Sequence, residues 1–217
     1  MEFVGLTGLA LMVGVSALCI VGGYQAYFWP QNSPLRECRT GKVGRLDHLV
    51  KFTPEWVWIY SLLYYPFMLT PVLWIDNPSE FIWVCTSYFA LLAAHVLISQ
   101  LVPMKTPDEW RQYDKDKNVS TRFLAFIQSI DKGGNCFPSM HVAVATLTAL
   151  HLTSYTGGES FVVISLVWLS VAAISLSAVF TKQHFVSDIV WGKIFALVVY
   201  FSFTALLPLE LFEGWFV

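Results

Sequence analysis

The sequence predicts an all-helical integral membrane protein, a bundle of six transmembrane helices in a single domain. Of its 217 residues, 56% are hydrophobic and only 13% are charged, which is far more apolar than an average soluble chain. The apolar residues are grouped in blocks long enough to cross a hydrocarbon core of about 30 Å as helices. The charged residues are distributed unevenly between the segments that join these blocks.

Six apolar blocks define the predicted helices. The first is too long for a secretory signal, and Glu2 stands where such a signal carries basic residues, so we interpret it as a retained helix. The whole chain, 1–217, is then one membrane domain with a long loop, 103–138, after the third helix. The predicted helices span residues 3–29, 56–75, 81–102, 139–156, 161–180 and 184–209.

The charge distribution predicts the orientation of the bundle. If six helices alternate, segments 30–55, 103–138 and 181–183 share one membrane face and carry nearly all the lysines and arginines. The opposite face carries Glu2, Asp76, Glu80, Glu159, Glu210 and Glu213. The positive-inside rule then makes the basic face cytoplasmic in a multi-pass protein, in the inner membrane if the source is bacterial. Alternatively, these cations attract an anionic substrate or lipid headgroups, with no topological meaning.

The stretch GNCFPSMHVAVATLTAL places a titratable ring at the start of an apolar segment. Pro138 and Ser139 suit a helix entrance, because proline tolerates a missing N–H there and a hydroxyl can cap. His141 then lies in the first turn. Since helix starts present free N–H groups and partial positive charge, this segment is a candidate anion site.

A second motif, FTKQHFVSDIVWG, pairs His184 with Asp188 four residues later. On a helix these two side chains share a face, and the carboxylate would hold one ring nitrogen protonated and leave the other as a nucleophilic lone pair. Lys182, two residues upstream, could neutralise a phosphate.

A third, looser motif, LVPMKTPDEWR, offers the cations Lys105 and Arg111. Alternation of the helices brings all three motifs to one membrane surface, which is where we expect the active site. Two histidines, an aspartate, cations and helix starts together suit phosphoryl transfer through a phosphohistidine, without a cofactor.

Other interpretations of these residues remain. His141, His184 and Asp188 could form a structural polar network, or bind a metal as two imidazoles and a carboxylate. The neighbouring cations disfavour a metal and favour a phosphate. His95 and His151, inside apolar helices, are better explained by packing.

With these residues identified, the chain resembles the type 2 phosphatidic acid phosphatase superfamily of membrane enzymes. NCFPSMHVA is similar to its Pro-Ser-x-His motif and TKQHFVSD to its final His-x-x-x-Asp motif. The resemblance implies a six-helix bundle without a metal. It also implies that His184 is the nucleophile, Asp188 its orienting partner, His141 the acid for the leaving alcohol and Ser139 a phosphate ligand.

The sequence departs from the usual motifs of this superfamily at two places. Ser177 and Ala178 occupy the places of the usual Ser-Arg pair before the nucleophile, and the first motif has no clean match near Lys105 and Arg111. With these departures and its Phe-Pro-Ser-x-His motif, the sequence looks closer to the branch that includes inositol phosphorylceramide and sphingomyelin synthases.

Three functions follow as hypotheses. The first is a membrane lipid-phosphate phosphatase, with a lipid phosphate as substrate and membrane lipids, not nucleic acid, as surroundings. The second is a phospho-headgroup transferase that uses the same residues, with a lipid or polyol hydroxyl in place of water. The third is a non-catalytic lipid-binding or transport protein that only grips phosphate.

Overall fold

A computed structural model describes residues 6–157 and 160–213 of the chain. The predicted start of the first helix at Phe3, and the acidic residues Glu2 and Glu159, lie outside these ranges. Apart from one two-residue strand pair, the regular structure of the described part is helical. The helices are α1 (Leu6–Asn32), α2 (Arg45–Leu49), α3 (Tyr64–Leu69), α4 (Pro71–Trp74), α5 (Pro78–Leu101), α6 (Val119–Ile130), α7 (Met140–Tyr155), α8 (Phe161–Phe180) and α9 (Val186–Leu206).

Within the described residues, five helical segments are long and apolar enough to cross a membrane. They are Met12–Asn32, Pro54–Trp74, Pro78–Leu101, Phe161–Phe180 and Val186–Leu206. The remaining predicted block, 139–156, which is the fourth along the chain, contains the helix α7, which has only 16 residues. The multi-pass membrane architecture is therefore confirmed, whereas a sixth full-length span is not shown.

The second span is an irregular helix. It begins with a 3₁₀ turn at Pro54–Trp56, continues as a π-helical segment at Ile59–Leu63 and ends as α3 and α4. Proline explains the interruptions, because Pro66 and Pro71 carry no N–H to donate to the preceding turn. The π-helical segment turns Tyr60 into the protein interior, where it is buried.

Helix α7 lies at the centre of the bundle. Its residues Val142 to Ala149 are all buried, and it packs against α8 and α9 and also contacts α3 and α5. Small side chains allow this close packing, since Ala143, Ala145 and Ala149 let neighbouring backbones approach. The large apolar side chains exposed on α8 and α9, such as Phe161, Leu169 and Phe201, face outward, as expected for contact with lipid.

The loop after α1 is hydrogen-bonded to two parts of the loop before α7 at one end of the bundle. Strand β1 (Arg39–Thr40) pairs in parallel with β2 (Met104–Lys105), and the N–H of Cys136 donates to the carbonyl of Met104 at 3.0 Å. The predicted loop 103–138 is partly structured, because it also contains the amphipathic helix α6. Asn118 caps α6 by accepting the N–H of Thr121 at 2.9 Å. The basic loop that follows α1 is thus joined to the loop before α7.

Candidate active site

His184 lies in a tight turn between α8 and α9. The turn is closed by backbone bonds from Gln183 and His184 to the carbonyl of Ala178, at 3.1 and 3.2 Å. Lys182 takes a left-handed backbone conformation, with φ of 57°. The sequence predicted that the last helix begins at His184, but α9 begins at Val186, so the histidine precedes the helix and does not lie on its face.

The hydrogen bonds of His184 define its tautomer. Its Nδ1 lies 2.8 Å from the carbonyl oxygen of Cys136, and since a carbonyl only accepts, Nδ1 carries the proton. In the neutral ring, Nε2 is then left with its lone pair. His184 is 3% exposed and Asp188 is 1% exposed, so both groups lie inside the protein.

Asp188 was expected to orient the His184 ring by a hydrogen bond, but its main contact is with the backbone. Its Oδ2 is 3.6 Å from Nδ1 of His184, beyond normal hydrogen-bond distance, and accepts the backbone N–H of Phe185 at 3.0 Å. The carboxylate therefore caps the start of α9 and places a negative charge beside the imidazole. The structure brings the two residues together, as the sequence predicted, but the carbonyl of Cys136 is the main acceptor for the ring.

His141 faces His184 across a short gap. The two ring centroids are 6.3 Å apart, and the ring planes are inclined by 62°. His141 stacks on Tyr60 at 4.2 Å and packs against Tyr64 at 4.5 Å, while its Nδ1 is 3.1 Å from the Tyr60 hydroxyl. The first turn of α7 thus presents one imidazole towards the other.

Ser139 lies at the start of α7, two residues before His141. Its side chain is fully buried, and its hydroxyl has no hydrogen-bond partner among the described residues. A buried hydroxyl without a partner is costly, so this group is available for a ligand. The close approach of α9 depends on Gly192, because a Cβ there would lie 2.7 Å from the carbonyl oxygen of Ser139.

The three predicted phosphate-binding cations lie at the same end of the bundle but are engaged elsewhere. Lys182 donates to the carbonyl of Asp47 at 2.8 Å and lies 4.7 Å from the centre of the Trp110 ring. Burial lowers the pKa of Lys182, and the nearby Asp47 opposes this effect. Lys105 pairs with Asp108 at 2.9 Å.

Arg111 is likewise held by its own loop. Its guanidinium donates to the carbonyl of Asp131 at 2.8 Å. Gly133 has a φ of 73° beside it, and a side chain there would collide with the guanidinium. Among the described residues, no hydrogen bond or ion pair joins these three cations to His141 or His184, so their role as phosphate ligands stays a prediction.

Several residues of this site were not singled out from the sequence. Tyr60 and Tyr64 belong to an aromatic segment whose composition alone signals a membrane interface. Asp47 is buried in the first loop, where its carboxylate accepts the N–H groups of Gly44 at 2.7 Å and Val186 at 2.8 Å. The carbonyl of Cys136 is a backbone group and leaves no signal in a sequence.

His95 occupies the structural role expected for it. Its Nε2 lies 3.1 Å from the carbonyl oxygen of Pro138, to which it must donate, and its ring stacks on Tyr27. His95 thereby supports the turn that leads into Ser139. His151 is hydrogen-bonded to Ser87 at 2.8 Å. In the part of the chain that the structure describes, no group of three or more His, Cys, Asp or Glu side chains could hold a metal ion.

Comparison with known proteins gives one finding. A family model described as the PAP2 superfamily matches residues 48–202, which is more than half of the chain. The matched segment runs from just before the second span into α9, whereas α1, Asp47 and the last residues of α9 lie outside it. The curated proteins and the solved structures yield no match.

Proposed function

The chain belongs to the PAP2 superfamily, and from this membership we propose that it is a membrane lipid-phosphate phosphatase that works through a phosphohistidine at His184. Members of this superfamily are generally phosphatases or phosphotransferases. The single observation that carries the proposal is the hydrogen bond from Nδ1 of His184 to the carbonyl of Cys136. This bond leaves Nε2 as a lone pair in front of a second imidazole and a helix start.

The first step transfers the phosphoryl group to the protein. Nε2 of His184 attacks phosphorus, a nitrogen–phosphorus bond forms and the bond to the lipid oxygen breaks. The leaving alkoxide takes a proton from the imidazolium of His141, which the charge of the bound phosphate stabilises. The Asp188 carboxylate offsets the positive charge that develops on the His184 ring.

The second step hydrolyses the phosphoenzyme. His141, now neutral, removes a proton from water, the resulting oxygen nucleophile attacks phosphorus and the nitrogen–phosphorus bond breaks. Inorganic phosphate leaves, and His184 recovers its lone pair. Throughout, the hydroxyl of Ser139 and the N–H groups at the start of α7 bind phosphate oxygens as negative charge builds on them.

A second candidate is a phospho-headgroup transferase, in which an alcohol replaces water in the second step. The observation that favours it is the burial of His184, which is 3% exposed. A site that excludes bulk water allows a lipid or polyol hydroxyl to compete for the phosphoenzyme. The two candidates share every residue named above and differ only in the acceptor.

The test is phosphate release from a panel of lipid phosphates by the purified protein, with a chelator present. We expect release by the wild type and a loss of about 10³-fold or more in His184→Ala, as for removal of a catalytic nucleophile. The matched control is His48→Ala, because the side chain of His48 is exposed in α2 and forms no hydrogen bond with His141, His184 or Asp188.

Product analysis separates the candidates. Release of inorganic phosphate supports the phosphatase, and an exchanged headgroup without free phosphate supports the transferase. A phosphorylated intermediate that is stable in alkali and lost in acid should form in the wild type and not in His184→Ala. Binding of lipid phosphate with neither product would contradict both candidates and leave the non-catalytic alternative.

A further inference from the structure

A cavity of about 150 Å³ opens into the bundle directly beside the candidate site. Its wall is formed by α1, α3, α4, α5 and α7, and His141 and Met140 lie at one end of it. We call this cavity the α1–α5 groove. It reaches away from His141 as far as Phe81 on α5 and Ser16 on α1.

The groove has the length of one membrane leaflet. Tyr27 and Ser16 mark its extent on α1, and Leu92 and Phe81 mark it on α5. Each pair is eleven residues apart, which is about 16 Å along a helix at 1.5 Å per residue. A hydrocarbon core is about 30 Å thick, so the groove descends through roughly half of it.

The chemistry of the wall favours an alkyl chain. Most lining side chains are apolar, and three of the five tyrosine hydroxyls in the wall are hydrogen-bonded within the protein. Tyr88 bonds to Thr148 at 2.7 Å, and the hydroxyls of Tyr24 and Tyr65 contact each other. The wall therefore offers a ligand mainly dispersion contacts and burial of apolar surface.

The groove is accessible from the bilayer. Tyr24 of α1, together with Tyr65 and Met68 of α3, is only half-buried. Helix α1 packs closely along α5 but has few contacts with the second span, where α4 is its main neighbour. A chain can enter sideways between α1 and α3 when the contact between Tyr24 and Tyr65 opens, while its headgroup stays at the membrane surface.

We infer that the α1–α5 groove binds a single hydrocarbon chain of the substrate, and that α1 determines the chain length accepted. This inference rests on the proposed function, because it places the phosphate of the same lipid between His141 and His184. Helix α1 lies outside the segment matched by the family model.

Gly23 provides the variant with which to test this. A Cβ at Gly23 would lie 3.8 Å from the Leu92 side chain, an ordinary contact, so the backbone tolerates a side chain there. In Gly23→Phe the ring would occupy the groove near its catalytic end. The neighbouring Gly22 is the matched control, because it does not line the groove and a Cβ there would meet nothing within 4 Å.

The experiment uses single-chain alkyl phosphates of increasing length, reconstituted with the full-length protein. For Gly23→Phe we expect kcat/KM on long-chain phosphates to fall at least tenfold and the preference to shift towards short chains, whereas Gly22→Phe keeps the wild-type profile. Ile20→Phe, one turn deeper on α1, should penalise only the longer chains. Equal profiles for Gly23→Phe and Gly22→Phe, or a uniform loss for all chain lengths, would overturn the inference.

A binding measurement keeps this inference separate from the proposed function. An alkyl phosphate with a photoreactive group at the chain terminus should crosslink to α1 and α5 residues of the groove, in the His184→Ala variant as well as in the wild type. If the wild type crosslinks in the groove but releases no phosphate, only the proposed function is contradicted. Phosphate release with crosslinks elsewhere would contradict only the groove, and should Gly23→Phe fail to fold, Ile20→Phe and the crosslinks still decide.

Discussion

The Nδ1 atom of His184 donates to the carbonyl of Cys136 at 2.8 Å, while Oδ2 of Asp188 lies 3.6 Å from the same nitrogen. A main-chain acceptor therefore orients the ring, and the carboxylate adds charge beside it. Because the same Oδ2 also caps α9 through the N–H of Phe185, Asp188 has two separable roles. Its electrostatic role depends on charge and its capping role only on an acceptor oxygen.

Asp188→Asn should separate the two roles. The amide oxygen can still accept the N–H of Phe185, but the negative charge beside His184 is lost. We expect kcat to fall about 10- to 100-fold with a nearly unchanged melting temperature, by analogy with other side chains that support a catalytic ligand. In Asp188→Ala the cap is lost as well, which costs about 1 kcal/mol of stability.

Phosphate release and thermal unfolding are measured on both variants. Asp116→Asn is the control, because the side chain of Asp116 is highly exposed and forms a surface ion pair with Arg122, which is not one of the site residues. Wild-type kcat in Asp188→Asn would mean that the carboxylate contributes only the cap.

Ser139→Ala should weaken substrate binding without weakening the fold. The buried hydroxyl has no partner among the described residues, so its removal breaks no hydrogen bond within them. A hydrogen bond to a charged phosphate is worth about 1.5–3 kcal/mol, which predicts a rise in KM or in the inhibition constant of inorganic phosphate of about tenfold or more.

The control for Ser139 is Ser175→Ala, since Ser175 is also buried but donates to the carbonyl of Val171 at 2.7 Å. Steady-state kinetics and a thermal melt are measured side by side. A lowered melting temperature with an unchanged KM would assign Ser139 a purely structural role.

Asp47 should be required for full activity although it touches neither imidazole. Its carboxylate accepts a hydrogen bond from the N–H of Val186 at 2.8 Å, and its backbone carbonyl accepts one from the ammonium of Lys182 at 2.8 Å. Asp47 therefore holds both sides of the turn that carries His184. In Asp47→Ala two N–H groups lose their acceptor, at a cost of about 1–3 kcal/mol for each one left buried. We expect kcat to fall at least tenfold.

A conservative change distinguishes positioning from general destabilisation. Asp47→Asn keeps one acceptor oxygen and should recover part of kcat, with KM close to the wild-type value in both variants. Asp116→Ala serves again as the exposed control. If Asp47→Ala melts at a lower temperature but turns over like the wild type, the anchor does not position His184.

The sidedness of the site can be tested with a single cysteine. Segments 30–55 and 103–138, which are hydrogen-bonded to each other, carry most of the lysines and arginines. The positive-inside rule therefore predicts that they are cytoplasmic. A cysteine at the exposed Lys117 should react with a membrane-impermeant thiol reagent only when the cytoplasmic side is open. Burial raises the pKa of the Cys136 thiol, which keeps it protonated and unreactive.

Labelling is compared with the parent protein to subtract the natural cysteines. Extra labelling of Lys117→Cys in sealed right-side-out membranes would reverse the assignment and place the site on the outer face. The basic residues would then be explained by attraction to an anionic substrate or to lipid headgroups.

Much of the architecture was accessible from the sequence. Membrane spans require only a sufficient length of apolar residues, a one-dimensional property, and the described ends of these helices lie within about three residues of the predicted bounds. The motifs around His141 and His184 also led to the superfamily that the family match shows. The more specific likeness to the sphingomyelin synthase branch remains a prediction.

Tertiary structure alone decided which groups meet the two imidazoles. The three predicted cations lie at the expected end of the bundle, but each is hydrogen-bonded to a carboxylate or carbonyl of the loops there. These cations are Lys105, Arg111 and Lys182. The partners actually found are a backbone carbonyl at Cys136 and a tyrosine turned inward by a π-helical segment.

The sequence by itself thus determined the membrane class, the apolar spans and the pair of histidine motifs, since hydropathy and local spacing are written along the chain. The tertiary structure decided the tautomer of His184, the anchor at Asp47 and the groove beside His141. These features depend on backbone groups and on contacts between segments far apart in sequence, and such contacts are formed only when the helices pack.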